Sequence, residues 1–289
     1  MTKFSRWNSQ PVDEWRRKYA PDKFISLDGH TTHYIEKGEG RPVILLHGWF
    51  HDSQMWSRNI DTLAESFKVY TMDLWGFGYS TRELLDWGYP LYANQLLKFM
   101  DALGINKASL MGQSMGAGTS ILFCTQHRER VDKIVLVASG GMPNPPLLMT
   151  RITCLPCVGE FLFRLGGSRR GILKSVFIYD EKSIGGGYFE DLTRFHQIKG
   201  TTETLLSSLR KNFFDKLLPE INKLGEMEVS ILIVWGRHDR SIRLELGQQM
   251  HKILKGSRLE IFEEAAHCPN YEQPEKFNQI VTGFLTSGI

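Results

Sequence analysis

Six strand-like runs, most of them apolar, recur along the chain, and most of them are followed by a loop and then by a helical pattern. The runs lie at 42–46, 68–73, 108–113, 131–138, 230–235 and 258–262. Continuous apolar runs of this length are typical of strands that are buried on both faces of a parallel sheet. The alternation of strand and helix therefore predicts an α/β fold with a doubly wound, mainly parallel sheet. The sites of such folds lie beyond the carboxyl ends of the strands.

Two more strand-like segments precede these runs, at 23–27 and 31–36. The dipeptide Asp28-Gly29 separates them, and this dipeptide between alternating segments predicts a hairpin. Together with the six runs, the hairpin gives an expected sheet of eight strands. Ahead of it, 11–19 is predicted to form a short helix packed on the body of the fold. Because this stretch is basic and aromatic, contact with a membrane surface is the alternative.

The regular rhythm is lost between the fourth and fifth apolar runs. Three prolines, Pro143, Pro145 and Pro146, open a stretch of apolar and basic helical pieces. We interpret 140–228 as a helical lid inserted into the fold and not as a separate domain. The core domain is then expected to consist of 1–139 and 229–289.

Composition excludes several classes of protein. The chain has 289 residues and a formal net charge of +3, and it contains no long Lys/Arg block, so nucleic acid is not expected as a partner. No charge-free segment is long enough to span a bilayer, and the N-terminus lacks the apolar core of a secretory signal. Four scattered cysteines do not make a disulfide framework. These features predict a cytoplasmic protein.

The third run ends in Gly112-Gln113-Ser114-Met115-Gly116, where a strand is expected to turn sharply into a helix. Such a turn forces its central residue into a strained conformation, and the flanking glycines leave room for the crowding. The serine hydroxyl then projects from the fold toward the N–H groups of the new helix. This pattern matches the nucleophile elbow of serine hydrolases, although the pentapeptide alone also arises by chance.

An acid and a histidine follow two later strands of the predicted sheet. Asp239 comes after the run at 230–235, and His267 comes after the run at 258–262. A serine hydroxyl needs a base to take its proton, and the base needs an acid that fixes its tautomer and stabilises its charged form. The chain order Ser114, Asp239, His267 is the order found in α/β-hydrolases.

Over 23–289 the sequence resembles the α/β-hydrolase superfamily. The segments that carry the resemblance are His47-Gly48, Asp73-Leu74-Trp75-Gly76-Phe77-Gly78-Tyr79-Ser80, Gly112-Gln113-Ser114-Met115-Gly116, Trp235-Gly236-Arg237-His238-Asp239 and Ala266-His267. The resemblance implies that Ser114 is the nucleophile, His267 the general base and then acid, and Asp239 the orienting carboxylate. It also implies an oxyanion hole formed by the backbone N–H groups of Trp49 and Met115. No metal or organic cofactor is implied.

Several other residues could take parts of these roles. Asp73 and Glu263 also follow strands and are rival candidates for the acid. His47 and His51 lie in the loop that would form the oxyanion hole, and we expect both to be structural.

The expected reaction is two-step acyl transfer on a small carboxylic ester. Aromatic and apolar residues near the loops and in the lid favour an apolar acyl or alcohol group, unless they form the core of the lid: Phe50, Trp75, Phe77, Met115, Leu148, Phe161 and Phe163. Three alternatives remain. The resemblance also admits a carbon–carbon bond hydrolase, although the segment His47-Gly48-Trp49-Phe50 lacks the Gly- and Ser-rich loop of those enzymes. The others are a haloperoxidase-like perhydrolase and a catalytically silent ligand-binding protein.

Overall fold

The computed structural model describes residues 7–146, 148–185 and 187–287. Within these ranges eight strands form one sheet in the order β1-β2-β4-β3-β5-β6-β7-β8. The strands are β1 (Lys23–Leu27), β2 (His30–Lys37), β3 (Pro42–Leu46), β4 (Lys68–Met72), β5 (Ala108–Gln113), β6 (Val131–Val137), β7 (Ser230–Gly236) and β8 (Arg258–Phe262). The predicted doubly wound α/β sheet is confirmed.

The sheet is antiparallel only at its N-terminal edge. Strand β2 pairs antiparallel with both β1 and β4, and every pairing from β4 to β8 is parallel. Asp28 and Gly29 form the hairpin turn with φ of 51° and 81°, the positive values that a two-residue type I′ turn requires. The central strand β5 is buried along its whole length. The carboxyl ends of β3 to β8 therefore share one edge, where the candidate residues lie.

Fourteen α-helices are present in the described ranges. They are α1 (Val12–Tyr19), α2 (Ile60–Ala64), α3 (Tyr89–Ala102), α4 (Met115–Gln126), α5 (Leu148–Thr153), α6 (Val158–Arg164), α7 (Gly166–Ile172), α8 (Glu181–Ile184), α9 (Tyr188–Thr193), α10 (Thr201–Lys211), α11 (Leu218–Gly225), α12 (Leu244–Ile253), α13 (Pro269–Glu272) and α14 (Pro274–Thr286). Short 3₁₀ turns occur at Ser53–Trp56, Arg128–Arg130 and Arg194–Gln197, and one π-helical turn occurs at Leu173–Phe177.

Asp52 and Ser53 can cap a helix, so the sequence predicts one running to about Ser66, but in the structure this helix is interrupted. Asp52 accepts a hydrogen bond from the Gln54 N–H at 3.0 Å, as an N-cap should, but it caps only the 3₁₀ turn Ser53–Trp56. The chain then passes through Asn59, whose side chain is buried and donates to the Asn270 carbonyl at 3.0 Å, before α2 begins. A tertiary hydrogen bond thus divides a segment that is continuous in pattern.

Helices α5 to α11 all fall between β6 and β7, and we call 140–228 the helical insertion. It packs over the carboxyl edge of the sheet. The indole Nε1 of Trp49 donates to the Ser208 hydroxyl at 2.9 Å, and the backbone N–H of His267 donates to the Phe177 carbonyl at 3.0 Å. The insertion therefore contacts both the loop after β3 and the loop after β8.

Helix α1 packs on the body of the fold. Trp15 Nε1 donates to the Arg194 carbonyl at 3.2 Å, and Arg16 Nε donates to the Tyr79 carbonyl at 2.8 Å. Trp15 thereby ties this helix to the insertion, and Arg16 ties it to the loop after β4.

Across the described residues we find no helix with the length and apolar character needed to cross a membrane.

Candidate active site

Ser114 stands at the junction of β5 and α4 in a strained backbone conformation, with φ 53° and ψ −111°. Backbone hydrogen bonds keep Ser114 in this conformation. The Ser114 N–H donates to the Val137 carbonyl at 2.8 Å, and the Ser114 carbonyl accepts from the N–H groups of Gly118 and Gly140 at 3.1 and 3.0 Å. A Cβ at Gly112 would overlap the backbone of Gly116. The glycines are thus required by close approach of two backbone segments.

His267 and Asp239 are joined by a buried hydrogen bond. His267 Nδ1 lies 2.8 Å from Asp239 Oδ2, and both side chains are buried. The other carboxylate oxygen of Asp239 accepts the backbone N–H groups of Ser241 and Ile242 at 2.8 and 2.9 Å. Because Asp239 accepts a hydrogen bond from the Nδ1–H group of His267, the Nε2 atom of His267 is left free to accept a proton.

Gln113 links the elbow to the histidine loop. Its Nε2 donates to the His267 carbonyl at 2.9 Å, and its side chain is buried. On the other side of the elbow, a Cβ built on Gly48 would lie 3.2 Å from the Cβ of Ser114. The loop after β3, the serine and the histidine loop are therefore brought together. No Ser114–His267 hydrogen bond occurs among the described residues; such bonds are often long in unliganded enzymes.

The loop after β3 is held by His47. The Leu74 N–H donates to His47 Nε2 at 2.9 Å, so Nδ1 carries the proton and donates to the Gly48 carbonyl at 2.8 Å. Burial lowers the pKa of His47, which keeps the ring neutral. Trp49 follows this anchored segment, and Met115 begins α4. Their N–H groups donate to no acceptor in the described ranges.

The rival acids are engaged elsewhere. Asp73 accepts from the Ser53 hydroxyl at 2.6 Å and from the Tyr79 N–H at 2.7 Å, and it pairs with His33 Nδ1 at 2.7 Å. Glu263 is exposed and forms an ion pair with Arg237. Of the three candidate acids, Asp239 is the one in contact with His267.

Comparison with known proteins agrees with this geometry. Residues 41–156 match the family described as alpha/beta hydrolase fold. The chain is 30% identical, over 93% of its length and 96% of the relative's, to a 2-hydroxy-6-oxo-6-phenylhexa-2,4-dienoate hydrolase of Comamonas testosteroni. The chain belongs to the alpha/beta hydrolase superfamily.

Two further relatives have names of the same kind. A 2-hydroxy-6-oxononadienedioate/2-hydroxy-6-oxononatrienedioate hydrolase of Klebsiella pneumoniae is 31% identical over 92% of this chain and 96% of its own. The solved structure of a meta-cleavage product hydrolase from Pseudomonas fluorescens IP01 superposes with a TM-score of 0.76. It is 26% identical and covers 91% of this chain and 97% of its own.

Two side chains that sequence reasoning missed hold the histidine loop of this hydrolase. The ring of Phe177 stacks on His267 with centroids 5.1 Å apart. Glu272 accepts the Ala266 N–H at 2.8 Å and the Tyr179 N–H at 2.6 Å, and so ties the histidine loop to the helical insertion. Burial outweighs these hydrogen bonds and raises the pKa of Glu272 to about 7. Glu272 does not directly follow a strand, so the sequence carries no signal for its role. Only its burial in the structure identifies it.

His51 was expected to be structural, yet it has none of the partners of His47. Its side chain is buried, and neither ring nitrogen has a hydrogen-bond partner among the described residues. Its ring centroid lies 5.4 Å from that of Phe177, on which His267 stacks. Burial is the largest cause that lowers the pKa of His51, to about 3. A neutral, unpartnered imidazole thus lies beside the catalytic candidates.

The apolar residues expected near the substrate divide into two groups. Phe50, Phe77 and Phe163 are buried, and the Phe50 and Phe163 rings lie 6.1 Å apart. Leu148 and Phe161 are 71% and 63% exposed, on the outer side of the insertion. These two therefore form neither a substrate wall nor the core of the insertion.

The described ranges contain no group of three His, Cys, Asp or Glu side chains placed to hold a metal ion.

Proposed function

We propose that this alpha/beta hydrolase works through Ser114 as nucleophile, His267 as general base and acid, and Asp239 as the carboxylate that orients His267. The observation that carries the proposal is the buried 2.8 Å His267–Asp239 hydrogen bond at the strand edge where Ser114 occupies a strained elbow.

The reaction proceeds by acyl transfer. His267 Nε2 takes the proton of the Ser114 hydroxyl as its oxygen attacks the substrate carbonyl carbon. The negative oxygen of the tetrahedral intermediate accepts the N–H groups of Trp49 and Met115, and each such donor typically contributes about 10²–10³ in rate. His267 then gives its proton to the leaving group. Water, deprotonated by His267, releases the acid from Ser114.

We further propose a carbon–carbon bond as the first substrate class to test. The relatives at 30–31% identity are named as hydrolases of 2-hydroxy-6-oxo-dienoates. A carbon leaving group keeps the bonding electrons only when a neighbouring keto group delocalises them, so such a substrate carries several polar groups. Two residues supply buried polar atoms without a hydrogen-bond partner for these groups: His51, whose ring lies against Phe177, and Gln113, which precedes Ser114 in the chain and has a free Oε1. An apolar ester would leave them unsatisfied.

A carboxylic ester is the second candidate. The observation that favours it is the aromatic surface around the candidate residues: Phe177 stacks on His267, and Phe50 lies next to Trp49 with ring centroids 5.2 Å apart. An apolar acyl chain would pack on these rings without any charged partner. Perhydrolysis of the same acyl-enzyme would be a side activity of this candidate.

One panel of substrates separates the two classes. The wild type is assayed with 2-hydroxy-6-oxo-6-phenylhexa-2,4-dienoate and, separately, with p-nitrophenyl esters of rising chain length. Hydrolysis of the dienoate is measured by the loss of its absorbance. We expect the dienoate to have the higher kcat/KM. A higher value for every ester would assign the ester reaction instead.

Variants test the serine. Ser114→Ala is expected to lose at least about 10³ in kcat on the preferred substrate. Ser120→Ala is the matched control, because the buried Ser120 hydroxyl lies in α4, directly after the elbow, and donates only to the Gly116 carbonyl at 3.0 Å. Retention of full activity by Ser114→Ala would overturn the proposal. Failure of a fluorophosphonate to label Ser114 would favour a silent ligand-binding protein. The expected cytoplasmic location and the expected absence of nucleic-acid partners remain predictions.

A further inference from the structure

The exposed apolar surface of the described residues is concentrated in one place. Eight large apolar side chains are exposed, and five of them belong to the α5–α6 hairpin. We call these five the apolar patch: Leu148, Met149, Leu155, Phe161 and Leu165. Exposed apolar side chains that are gathered in one hairpin mark an interaction site more often than isolated ones do.

The patch is the outer face of a well-anchored hairpin. Phe161 and Leu165 are four residues apart and therefore point the same way, whereas Phe163 between them is buried against the core of the insertion. Arg210 of α10 fixes the hairpin from the inner side by donating to the Cys154 carbonyl at 3.0 Å and to Glu160 at 2.9 Å. The apolar residues are thus held outward by the packing of the opposite face.

The unpaired charges of the hairpin have one sign. Arg151 and Arg164 are exposed, and neither forms an ion pair with any residue of the described ranges. The single acidic residue of the hairpin, Glu160, is already neutralised by Arg210. The patch therefore presents apolar side chains together with unpaired cations.

We propose that this face docks on the surface of an anionic phospholipid bilayer. Leucine, methionine and phenylalanine side chains would enter the region between headgroups and acyl chains, while the arginines meet lipid phosphates. A second copy of the chain complements the patch less well. A two-fold dimer through it would bring both pairs of arginines to one interface with no free carboxylate to balance them.

The position of the patch connects the bilayer to the candidate active site. Phe163, on the inner face of α6, lies 6.1 Å from Phe50, which directly follows Trp49. Docking would therefore orient the helical insertion, and the site beneath it, toward the membrane. The proposal does not rest on the proposed reaction, and Ser114→Ala is expected to bind vesicles as the wild type does.

Sedimentation with vesicles tests the proposal on the full chain. We expect binding to mixed phosphatidylcholine–phosphatidylglycerol vesicles and much weaker binding to phosphatidylcholine alone. The double variant Leu155→Glu/Phe161→Glu should lower the partition coefficient at least about ten-fold. Arg151→Gln and Arg164→Gln should each lower it about five-fold, and added salt should reduce the difference from the wild type.

Leu84→Glu is the matched control, because Leu84 is 71% exposed but lies outside the insertion. It should bind vesicles like the wild type. Thermal unfolding of each variant establishes that the fold is retained. Absence of binding to the mixed vesicles, or equal losses in Leu84→Glu and in the double variant, would overturn the proposal. So would a concentration-dependent dimer that the double variant abolishes.

Discussion

At the scale of single residues, the candidate site depends on which polar side-chain atoms already have a hydrogen-bond partner. Asp239 and Asp73 are both buried aspartates that follow strands, and both contact a histidine. They differ in what surrounds the histidine: His33 is held between Asp73 and Asp22, whereas among the described residues His267 pairs with Asp239 alone. The same pair of residue types is thus structural at one end of the sheet and a catalytic candidate at the other.

Asp239→Asn tests the orienting carboxylate. The amide can keep one oxygen for the N–H groups of Ser241 and Ile242, but it no longer stabilises a protonated His267 and can impose the wrong tautomer. We expect kcat to fall about 10³–10⁴-fold with little change in thermal stability. Steady-state kinetics on the preferred substrate measures the effect.

Glu263→Gln is the control for this variant, because Glu263 is the exposed rival acid paired with Arg237. It should retain nearly full activity. A larger loss of kcat in Glu263→Gln than in Asp239→Asn would show that Glu263, and not Asp239, is the acid.

At the scale of elements, the elbow requires β5 and α4 to meet without side chains between them. Gly112→Ala would place a methyl group against the Gly116 backbone, which has no flexible end that can move away. We expect a loss of more than about 3 kcal/mol in the free energy of unfolding, or an insoluble protein. Thermal and urea unfolding measure it.

Gly283→Ala provides the opposite control. Gly283 lies in α14, and an added Cβ there would meet no atom within 4 Å. Because alanine favours helix more than glycine does, this variant should gain about 0.5–1 kcal/mol. Equal losses in both variants would contradict the role given to the elbow glycine.

Glu272 couples two elements, the histidine loop and the insertion. Glu272→Gln leaves a single acceptor oxygen for the N–H groups of Ala266 and Tyr179. We expect a loss of about 1–3 kcal/mol in unfolding free energy and a several-fold fall in kcat. Glu275→Gln, an exposed change in the next helix, should alter neither quantity. Wild-type kcat in Glu272→Gln would show that this tie does not position His267.

At the scale of the whole molecule, buried titratable groups act on stability in opposite directions. His51 has a folded pKa of about 3 against an ordinary value of 6.5, so its contribution is lost as pH falls below 6.5. Glu272 has a raised pKa of about 7, so its contribution is instead lost as pH rises from 4.5 toward 7. His33, whose pKa is raised from 6.5 to about 9, contributes fully below pH 6.5 and loses this contribution as pH rises from 6.5 to about 9. The pH profile of the wild type is therefore a sum that no single group dominates.

Comparing the wild type with a His51 variant isolates the contribution of His51 to the pH dependence of stability. His51→Leu removes the proton linkage, so relative to the wild type it should gain about 2–3 kcal/mol in unfolding free energy between pH 7 and pH 4.5. Urea unfolding at the two pH values measures this gain. A pH-independent difference would mean that the His51 pKa is close to its ordinary value.

The pattern of apolar and turn-forming residues in the sequence was sufficient to determine the architecture of this protein. The apolar runs are continuous because strands of a parallel sheet are covered on both faces, and their order places Ser114, Asp239 and His267 at one edge. The elbow glycines and the Asp28-Gly29 turn are equally local, since backbone sterics decide them. The bounds of the strands in the structure accordingly lie within a residue or two of those expected.

Only the tertiary structure decided which polar side chains are satisfied and which apolar ones are covered. His47 and His51 are four residues apart and identical in type, yet Leu74 and Gly48 hold one ring while the other has no partner. Phe161 and Phe163 are two residues apart, yet one is exposed and the other buried. Hydrogen bonds and packing in these cases come from segments distant in sequence, and no local periodicity encodes where those segments meet.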